Sequence, residues 1–101
     1  MRVLLAPEAQ AQVDAIDDWW RENRTAAPDL FFQELASTLG VLSRAPGLGR
    51  RYTHATVKSV RRVLMRSTRY HVYYVVHADI VLVLSVWSGQ RGTGPNLGGL
   101  V

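Results

Sequence analysis

The stretch "SVRRVLMRSTRYHVYYVV", residues 59–76, decides the fold of this chain. Apolar residues recur along it with the period of two that is typical of β-strands. The three residues Ser67, Thr68 and Arg69 form a joint of hairpin length. The first eleven positions hold four arginines, whereas the remainder is almost uncharged. We therefore predict a β-hairpin with one face that does not belong to the core.

Further strands are predicted on both sides of this hairpin, whose own strands cover residues 60–66 and 70–76. Residues 80–87, "IVLVLSVW", follow after a short joint and are apolar on both faces. Such a strand should lie inside the sheet, with little solvent on either side. Residues 3–5 form a short β-type run near the start of the chain, and residues 47–58 are predicted to be a turn-rich basic connector.

Two amphipathic helices are predicted between the first strand and the connector. The first begins at Pro7 and ends near Asn23, and the second begins at residues 28–29 and ends at Arg44. Apolar residues recur in both at spacings of three and four. These residues are Ala9, Val13, Ile16 and Trp20 in the first helix, and Leu30, Phe31, Leu35, Leu39 and Leu42 in the second. The short break between the helices implies an antiparallel helical hairpin.

The predicted order β-α-α-β-β-β places this helical hairpin on one face of a small antiparallel sheet, an α+β fold. Alternation then assigns the side chains of the β-hairpin to two faces. The helix-facing set is Val63, Met65, Tyr70, Val72, Tyr74 and Val76. The set on the opposite, open face is Arg62, Leu64, Arg66, His71 and Tyr73.

The bulk composition suits a single cytoplasmic domain. We predict the domain over residues 1–91, followed by a Gly/Pro-rich tail over residues 92–101. The sequence contains no cysteine, which excludes disulfides and thiolate metal sites. The first ten residues lack the apolar segment of a signal peptide. No stretch approaches the ~18 apolar residues that a membrane span needs.

The charges are distributed unevenly along the chain. Residues 1–43 carry three basic and seven acidic residues, a net charge of −4. Residues 44–101 carry nine basic residues and one acidic residue, a net charge of +8. Eleven of the twelve basic residues are arginine, which binds phosphate and carboxylate groups bidentately. The segregation predicts a molecule with one acidic and one basic surface.

The element order, "RRVLMRSTRYHVYYVV" (residues 61–76) and "VLVLSVWSGQR" (residues 81–91) together resemble the RelE/ParE superfamily of toxins from type II toxin–antitoxin systems. The resemblance covers roughly residues 2–91. It implies a small cytosolic protein held inactive by a cognate antitoxin encoded beside it. Two mechanisms occur in this superfamily. RelE-like members cut messenger RNA in the ribosomal A site without a metal ion, and ParE-like members poison DNA gyrase.

Compared with RelE-like nucleases, this chain keeps part of the catalytic set. Arg62 matches a basic residue of the first hairpin strand, and Arg91 matches the arginine after the last strand. Leu64 replaces a lysine and His71 replaces an arginine, while "RGTGPNLGGLV" (residues 91–101) lacks the terminal aromatic or histidine acid/base. The resemblance therefore favours ParE-like gyrase inhibition without catalysis. The alternative is a metal-free endoribonuclease that uses Arg62, His71 and Arg91.

The sequence also suggests two binding surfaces. Residues predicted to bind the target or nucleic acid are Lys58, Arg61, Arg62, Arg66, Arg69, Tyr73 and Arg91. Residues predicted to bind the antitoxin are Trp19, Arg62, Arg66, Trp87 and Arg91. The expected partners are the antitoxin and either gyrase or the ribosome with its messenger RNA. No cofactor and no metal are expected, since no metal-ligand spacing links the three histidines.

Structural explanations exist for the same residues. The arginines can be charged groups that protect the edge of a hairpin from aggregation, and His71 can be a half-exposed strand residue. Trp19 can fill the seam between helix and sheet, or it can stand exposed as an anchor for the antitoxin. A nucleic-acid-binding module with no toxicity also fits the charge.

Overall fold

The computed structural model describes residues 1–88, so Arg91 and the predicted tail lie outside the described residues. The elements are β1 (Arg2–Leu5), α1 (Pro7–Asn23), α2 (Leu30–Arg44), β2 (Arg50–Arg51), β3 (Arg61–Met65), β4 (Tyr70–His77) and β5 (Ile80–Ser88). Every predicted helix and strand is present. The two-residue strand β2 is an addition, because it lies inside the segment that the sequence predicts to be a connector.

The described strands form one sheet in the order β1-β5-β4-β3-β2. The predicted α+β fold is confirmed, although the sheet is mixed. Strands β2 to β5 pair antiparallel, whereas β1 pairs parallel with β5. The helical hairpin connects β1 to β2, which lies at the opposite edge of the sheet. Strands β2 to β5 then lead back across the sheet, and β5 lies parallel to β1. Strand β5 lies between β1 and β4, as its two apolar faces predict.

The main core lies between the helical hairpin and one face of the sheet. Trp20 belongs to it, as its period on α1 predicts, and the Trp20 indole donates a hydrogen bond to the Tyr70 hydroxyl at 3.2 Å. The Phe31 ring of α2 meets the Tyr70 ring edge to face at 5.1 Å. The buried members of this core are Ala9, Val13, Trp20, Phe31, Leu35, Leu42, Met65, Val72, Tyr74, Val81, Val83 and Val86. Within residues 1–88, neither helix is long and apolar enough to cross a membrane.

The second face of the sheet is partly covered, which corrects the expectation of an open face. Residues 52–60, here called the strap, fold across it and bring Val57 and Val60 onto Tyr73 and Leu84. Tyr73 is only 2% exposed. It lies on the predicted face, but in this structure its side chain is not available to a target.

Val76 also departs from the predicted pattern, since 38% of its surface is exposed. The pairing of β3 with β4 ends at Tyr74, so Val76 lies where β4 has only β5 beside it. The other predicted helix-facing residues of the hairpin contribute to the main core, namely Val63, Met65, Tyr70, Val72 and Tyr74.

Candidate functional site

Four arginines form two cross-strand pairs at the edge formed by β2 and β3. The strand register pairs Arg50 with Arg62 and Arg51 with Arg61. Like charges directly opposite each other on neighbouring strands destabilise a sheet. Within residues 1–88 the ion pairs lie in the helical hairpin, and none of these four arginines has a carboxylate partner. The edge therefore carries an uncompensated positive charge.

A groove of about 570 Å³ opens beside this edge, and we call it the cationic groove. Its lining residues are Leu48, Gly49, Arg50, Arg62, Val63, Leu64, Arg66 and His71. Leu64 and His71 are cross-strand partners on the second face. Sequence alternation predicted that Arg62, Arg66 and His71 share a face, and the structure brings these three into one groove.

Tyr52 of the strap holds Arg62 in place. The Arg62 guanidinium carbon lies 5.1 Å from the centre of the Tyr52 ring, a cation–π contact. The Tyr52 ring in turn meets the buried Tyr73 ring edge to face at 4.9 Å. This stack connects Arg62 to the covered part of the second face, so the guanidinium has a defined position at the rim of the groove.

His71 lies next to this charge and responds to it. Partial burial lowers the pKa of His71 below its ordinary value of 6.5, and the positive charge of Arg62 lowers the pKa further. The imidazole is therefore neutral at neutral pH. A neutral imidazole can accept a proton, but it is poorly suited to donate one.

Arg61 is turned away from the cationic groove and anchors a loop. Its guanidinium donates hydrogen bonds to the carbonyl oxygens of Gly49 at 2.8 Å and Gly47 at 3.3 Å. The Tyr74 hydroxyl holds the same loop, because it accepts from the Gly49 amide and donates to the Pro46 carbonyl, each at 2.8 Å. Arg61 therefore has a structural role. It also belongs to the residues that the sequence predicts to bind the target or nucleic acid.

Lys58 and Arg69 are exposed and do not line the cationic groove. Lys58 borders a separate depression of about 400 Å³ together with Arg51 and His54. His54 is half-buried in the strap, where its Nδ1 accepts a hydrogen bond from the Val57 amide at 3.2 Å. Arg69 lies in the β3–β4 turn with a positive φ of 68°.

Glu34 of α2 fixes the turn that carries Arg69 and follows Arg66. Its carboxylate accepts hydrogen bonds from the Ser67 amide and from the amide and hydroxyl of Thr68, at 2.9, 2.9 and 2.6 Å. Burial raises the pKa of Glu34, but these hydrogen bonds outweigh burial, so the net shift of the pKa is downward. The β3–β4 hairpin, here called the arginine hairpin, is therefore attached to the helical layer by the Glu34 carboxylate, here called the Glu34 cap.

A second groove, of about 440 Å³, lies between α1 and the end of β5. We call it the apolar groove, and its lining residues are Gln12, Ala15, Ile16, Trp19, Tyr70, Val86, Trp87 and Ser88. Trp19 is 45% exposed, so it does not fill the seam between helix and sheet. The Arg24 guanidinium carbon lies 5.1 Å from the centre of the Trp19 ring.

Comparison with known proteins identifies the family. The model of the family described as "ParE toxin of type II toxin-antitoxin system, parDE" matches residues 3–92. The chain belongs to the ParE toxin family. Among curated proteins no significant match was found.

A solved structure described as "Chromosomal ParDE TA system from P. aeruginosa" is similar in fold. The similarity covers 87% of this chain and 95% of the other, with a TM-score of 0.70 and 17% sequence identity. At this identity the match supports the toxin fold, and it does not transfer the roles of single residues.

The described residues that are predicted to bind the antitoxin line two separate grooves of the toxin. Trp19 and Trp87 line the apolar groove, whereas Arg62 and Arg66 line the cationic groove. His71, which lines the cationic groove, and Trp87, which lines the apolar groove, are cross-strand partners on β4 and β5. The predicted proximity of Arg62 to Arg91 stays a prediction.

Sequence patterns alone did not identify several groove residues. Leu48, Gly49 and Arg50 line the cationic groove. All three belong to the predicted basic connector, and of the three only Arg50 was expected to extend the basic surface, with a charged loop as the alternative. Tyr52 was missed for the same reason. A two-residue strand has too few positions to show a period, so the signal of the arginine pairs across β2 and β3 was absent from the sequence.

Proposed function

We propose that this ParE-family toxin acts in the cytoplasm by inhibiting DNA gyrase and that a cognate antitoxin neutralises it. The family match over residues 3–92 is the observation that carries the proposal. The chemistry of the cationic groove agrees with it. Three arginines line the groove together with one histidine, His71, whose pKa is lowered by burial and by Arg62. Such a surface is suited to binding a partner more than to proton transfer.

A ribosome-dependent endoribonuclease is the second candidate, because Arg62 and His71 share one groove. Metal-free cleavage needs a base for the 2′-hydroxyl, an acid for the leaving oxygen and cations for the phosphorane. The lowered pKa of His71 suits the base and disfavours the acid. Loss of one such group typically lowers the rate by ~10²–10⁴, so gyrase inhibition is the better-supported function.

The two grooves suggest how the antitoxin binds. An antitoxin segment with apolar side chains would fill the apolar groove against Trp19 and Trp87. Acidic side chains farther along the same segment would reach Arg62 and Arg66 in the cationic groove. Such a segment buries an exposed aromatic anchor and pairs charges that have no carboxylate partner within residues 1–88.

A supercoiling assay with purified gyrase tests the proposed target. The toxin should inhibit negative supercoiling of relaxed plasmid and should cause accumulation of cleaved DNA, and the His71→Ala variant should inhibit equally well. In parallel, the toxin is added to a translation extract, and new messenger RNA 5′ ends are mapped by primer extension.

The two candidates predict opposite results. New 5′ ends within codons that disappear with His71→Ala, together with unimpaired supercoiling, would establish the nuclease and reject gyrase inhibition.

A Trp19→Ala variant tests the antitoxin surface. It should remain toxic but should require at least about tenfold more antitoxin for neutralisation, because loss of an interface anchor commonly costs 1.4 kcal/mol or more.

A further inference from the structure

The β2–β3 edge combines three features that point to a ligand with regularly spaced negative charges. Two pairs of arginines lie in direct register across the two strands. Two further exposed cations lie beyond the two ends of β3: Lys58 before it and Arg66 after it. None of them has a carboxylate partner within residues 1–88, so the toxin itself does not offset the repulsion among these charges.

The dense arginine charge of this edge suits phosphate groups, and the acidic side chains of the proposed antitoxin segment would compete with them for Arg62 and Arg66. Peptide segments commonly bind through apolar anchors that enter pockets. On the second face, the apolar area around Tyr73 and Leu84 is already covered by Val57 and Val60 of the strap. The arginines remain accessible at the edge, and three of the eight residues that line the adjacent cationic groove are arginines. A phosphodiester backbone needs no anchor of this kind.

The acidic surface of the toxin would orient such a ligand. Asp14, Asp18 and Glu22 are exposed on α1, and α1 lies in the helical layer, on the opposite face of the sheet from the strap. A polyanion is therefore repelled from the helices and attracted to the β2–β3 edge. The β3 strand of five residues spans about 17 Å at ~3.4 Å per residue, which is long enough to follow two or three successive phosphates of one strand.

We propose that the β2–β3 edge binds the phosphodiester backbone of nucleic acid through Arg50, Arg51, Arg62 and Arg66. Binding is independent of base sequence, because phosphate contacts carry no sequence information. It does not rest on gyrase inhibition, since the purified toxin alone should show it. If both hold, the toxin contacts the DNA that gyrase holds as well as the enzyme.

Fluorescence anisotropy of the full-length toxin with a fluorescein-labelled 20-base-pair duplex tests this inference. A single-stranded DNA and an RNA of equal length serve as further probes, and the titrations are repeated from 50 to 300 mM KCl. Because each neutralised phosphate contributes about −0.9 to the slope of log K against log salt concentration, four contacts predict a slope of about −3 to −4. The three nucleic acids should compete for one site.

Matched double variants locate the site. Arg50→Gln with Arg66→Gln should weaken binding about tenfold at 50 mM KCl and should make the slope about two less negative. The control, Arg2→Gln with Arg44→Gln, removes the same charge from two other exposed positions. Arg2 lies on β1 at the other end of the sheet, and Arg44 follows Ser43, whose carbonyl oxygen accepts a hydrogen bond from the Met1 amino group at 2.8 Å. The control should change affinity less than twofold. Circular dichroism checks that both variants are folded.

Three results would overturn the inference. The first is no change in anisotropy at 50 mM KCl, and the second is an equal loss of affinity in both double variants, which would show a general effect of net charge. The third is displacement of the duplex by a polyglutamate peptide at a lower charge concentration than unlabelled duplex requires, which would assign the edge to an acidic protein. The supercoiling assay is unaffected by these outcomes, so failure of one proposal is distinguishable from failure of the other.

Discussion

The two faces of the central sheet are closed by different means. On the helix face, two amphipathic helices bury a core of twelve residues within the described range 1–88. On the second face, the strap buries four residues, Val57, Val60, Tyr73 and Leu84, and leaves the cationic groove beside them. Burial of apolar area is the main source of stability, so the helix face provides most of it. The second face can therefore carry unpaired charges that would be too costly within the main core.

The strongest test of this division concerns the loop that joins the two faces. A Cβ atom at Gly49 would lie 2.6 Å from the Tyr74 hydroxyl and 3.0 Å from the Arg62 carbonyl oxygen. Gly49→Ala should therefore displace Tyr74 from the core and break its hydrogen bonds to the loop, at a cost of about 3 kcal/mol. Gly47→Ala is the matched control, because nothing lies within 4 Å of its Cβ position. Urea denaturation would measure both, and equal stability of the two variants would contradict the proposed packing.

A valine-to-alanine substitution on each face should measure how much the two cores differ in their contribution to the free energy of unfolding. Val72 is fully buried on the helix face, and Val57 is 7% exposed under the strap. Val72→Ala should cost about 2 kcal/mol, through lost burial and a cavity. Val57→Ala should cost about 1 kcal/mol, since the strap can settle into the space. Thermal denaturation followed by circular dichroism would rank them, and the reverse order would show that the strap contributes more than its size suggests.

The Glu34 cap that connects the helices to the arginine hairpin should make stability depend on pH. Because its pKa is lowered on folding, Glu34 stabilises the fold in full above its ordinary pKa of 4.5 and progressively less as pH falls through the lower folded value. Glu34→Gln should therefore cost about 1 kcal/mol at pH 7 and less at pH 3. Urea denaturation at the two pH values checks this. A constant difference would mean that the charge has no part in the cap.

The smallest effect is expected at a turn that belongs to neither face. Ala78 has a φ of 54° in the two-residue turn between β4 and β5, a conformation that glycine adopts without strain. Ala78→Gly should stabilise the fold by about 0.5 kcal/mol, because relief of strain exceeds the added entropy of the unfolded chain. A small rise in melting temperature is the expected observation. Destabilisation would mean that the Ala78 methyl group makes a contact that outweighs the strain.

Much of the fold could be predicted from the sequence, because long amphipathic segments have a clear period. The Trp20 stripe of α1 and the alternation in β3 and β4 both predicted the helix-facing residues. Val76 was one exception, and Leu30 of the predicted α2 stripe was another, since it is 36% exposed. The strap was not predicted, since residues 52–60 have no period and their burial depends on the shape of the face beneath them. This explains why Tyr73 was placed on the correct face but with the wrong exposure.

For the candidate site, the sequence identified the chemistry, and the structure identified the neighbours. Alternation along β3 and β4 placed Arg62, Arg66 and His71 on one face, and the groove contains all three. The splitting of the predicted antitoxin residues into two grooves was not foreseen. Trp19 and Arg62 are far apart in the sequence, and which groove each one lines depends on how α1 packs against β5.

By itself the sequence determined the order of the elements, the helix-facing core and the segregation of charge, because each depends on the period or composition of a local segment. Only the tertiary structure decided that Arg50 faces Arg62, that Arg61 anchors a loop, and that the strap covers Tyr73. These features depend on contacts between segments that are distant in sequence or too short to show a pattern. Their energies appear only when both partners are in place.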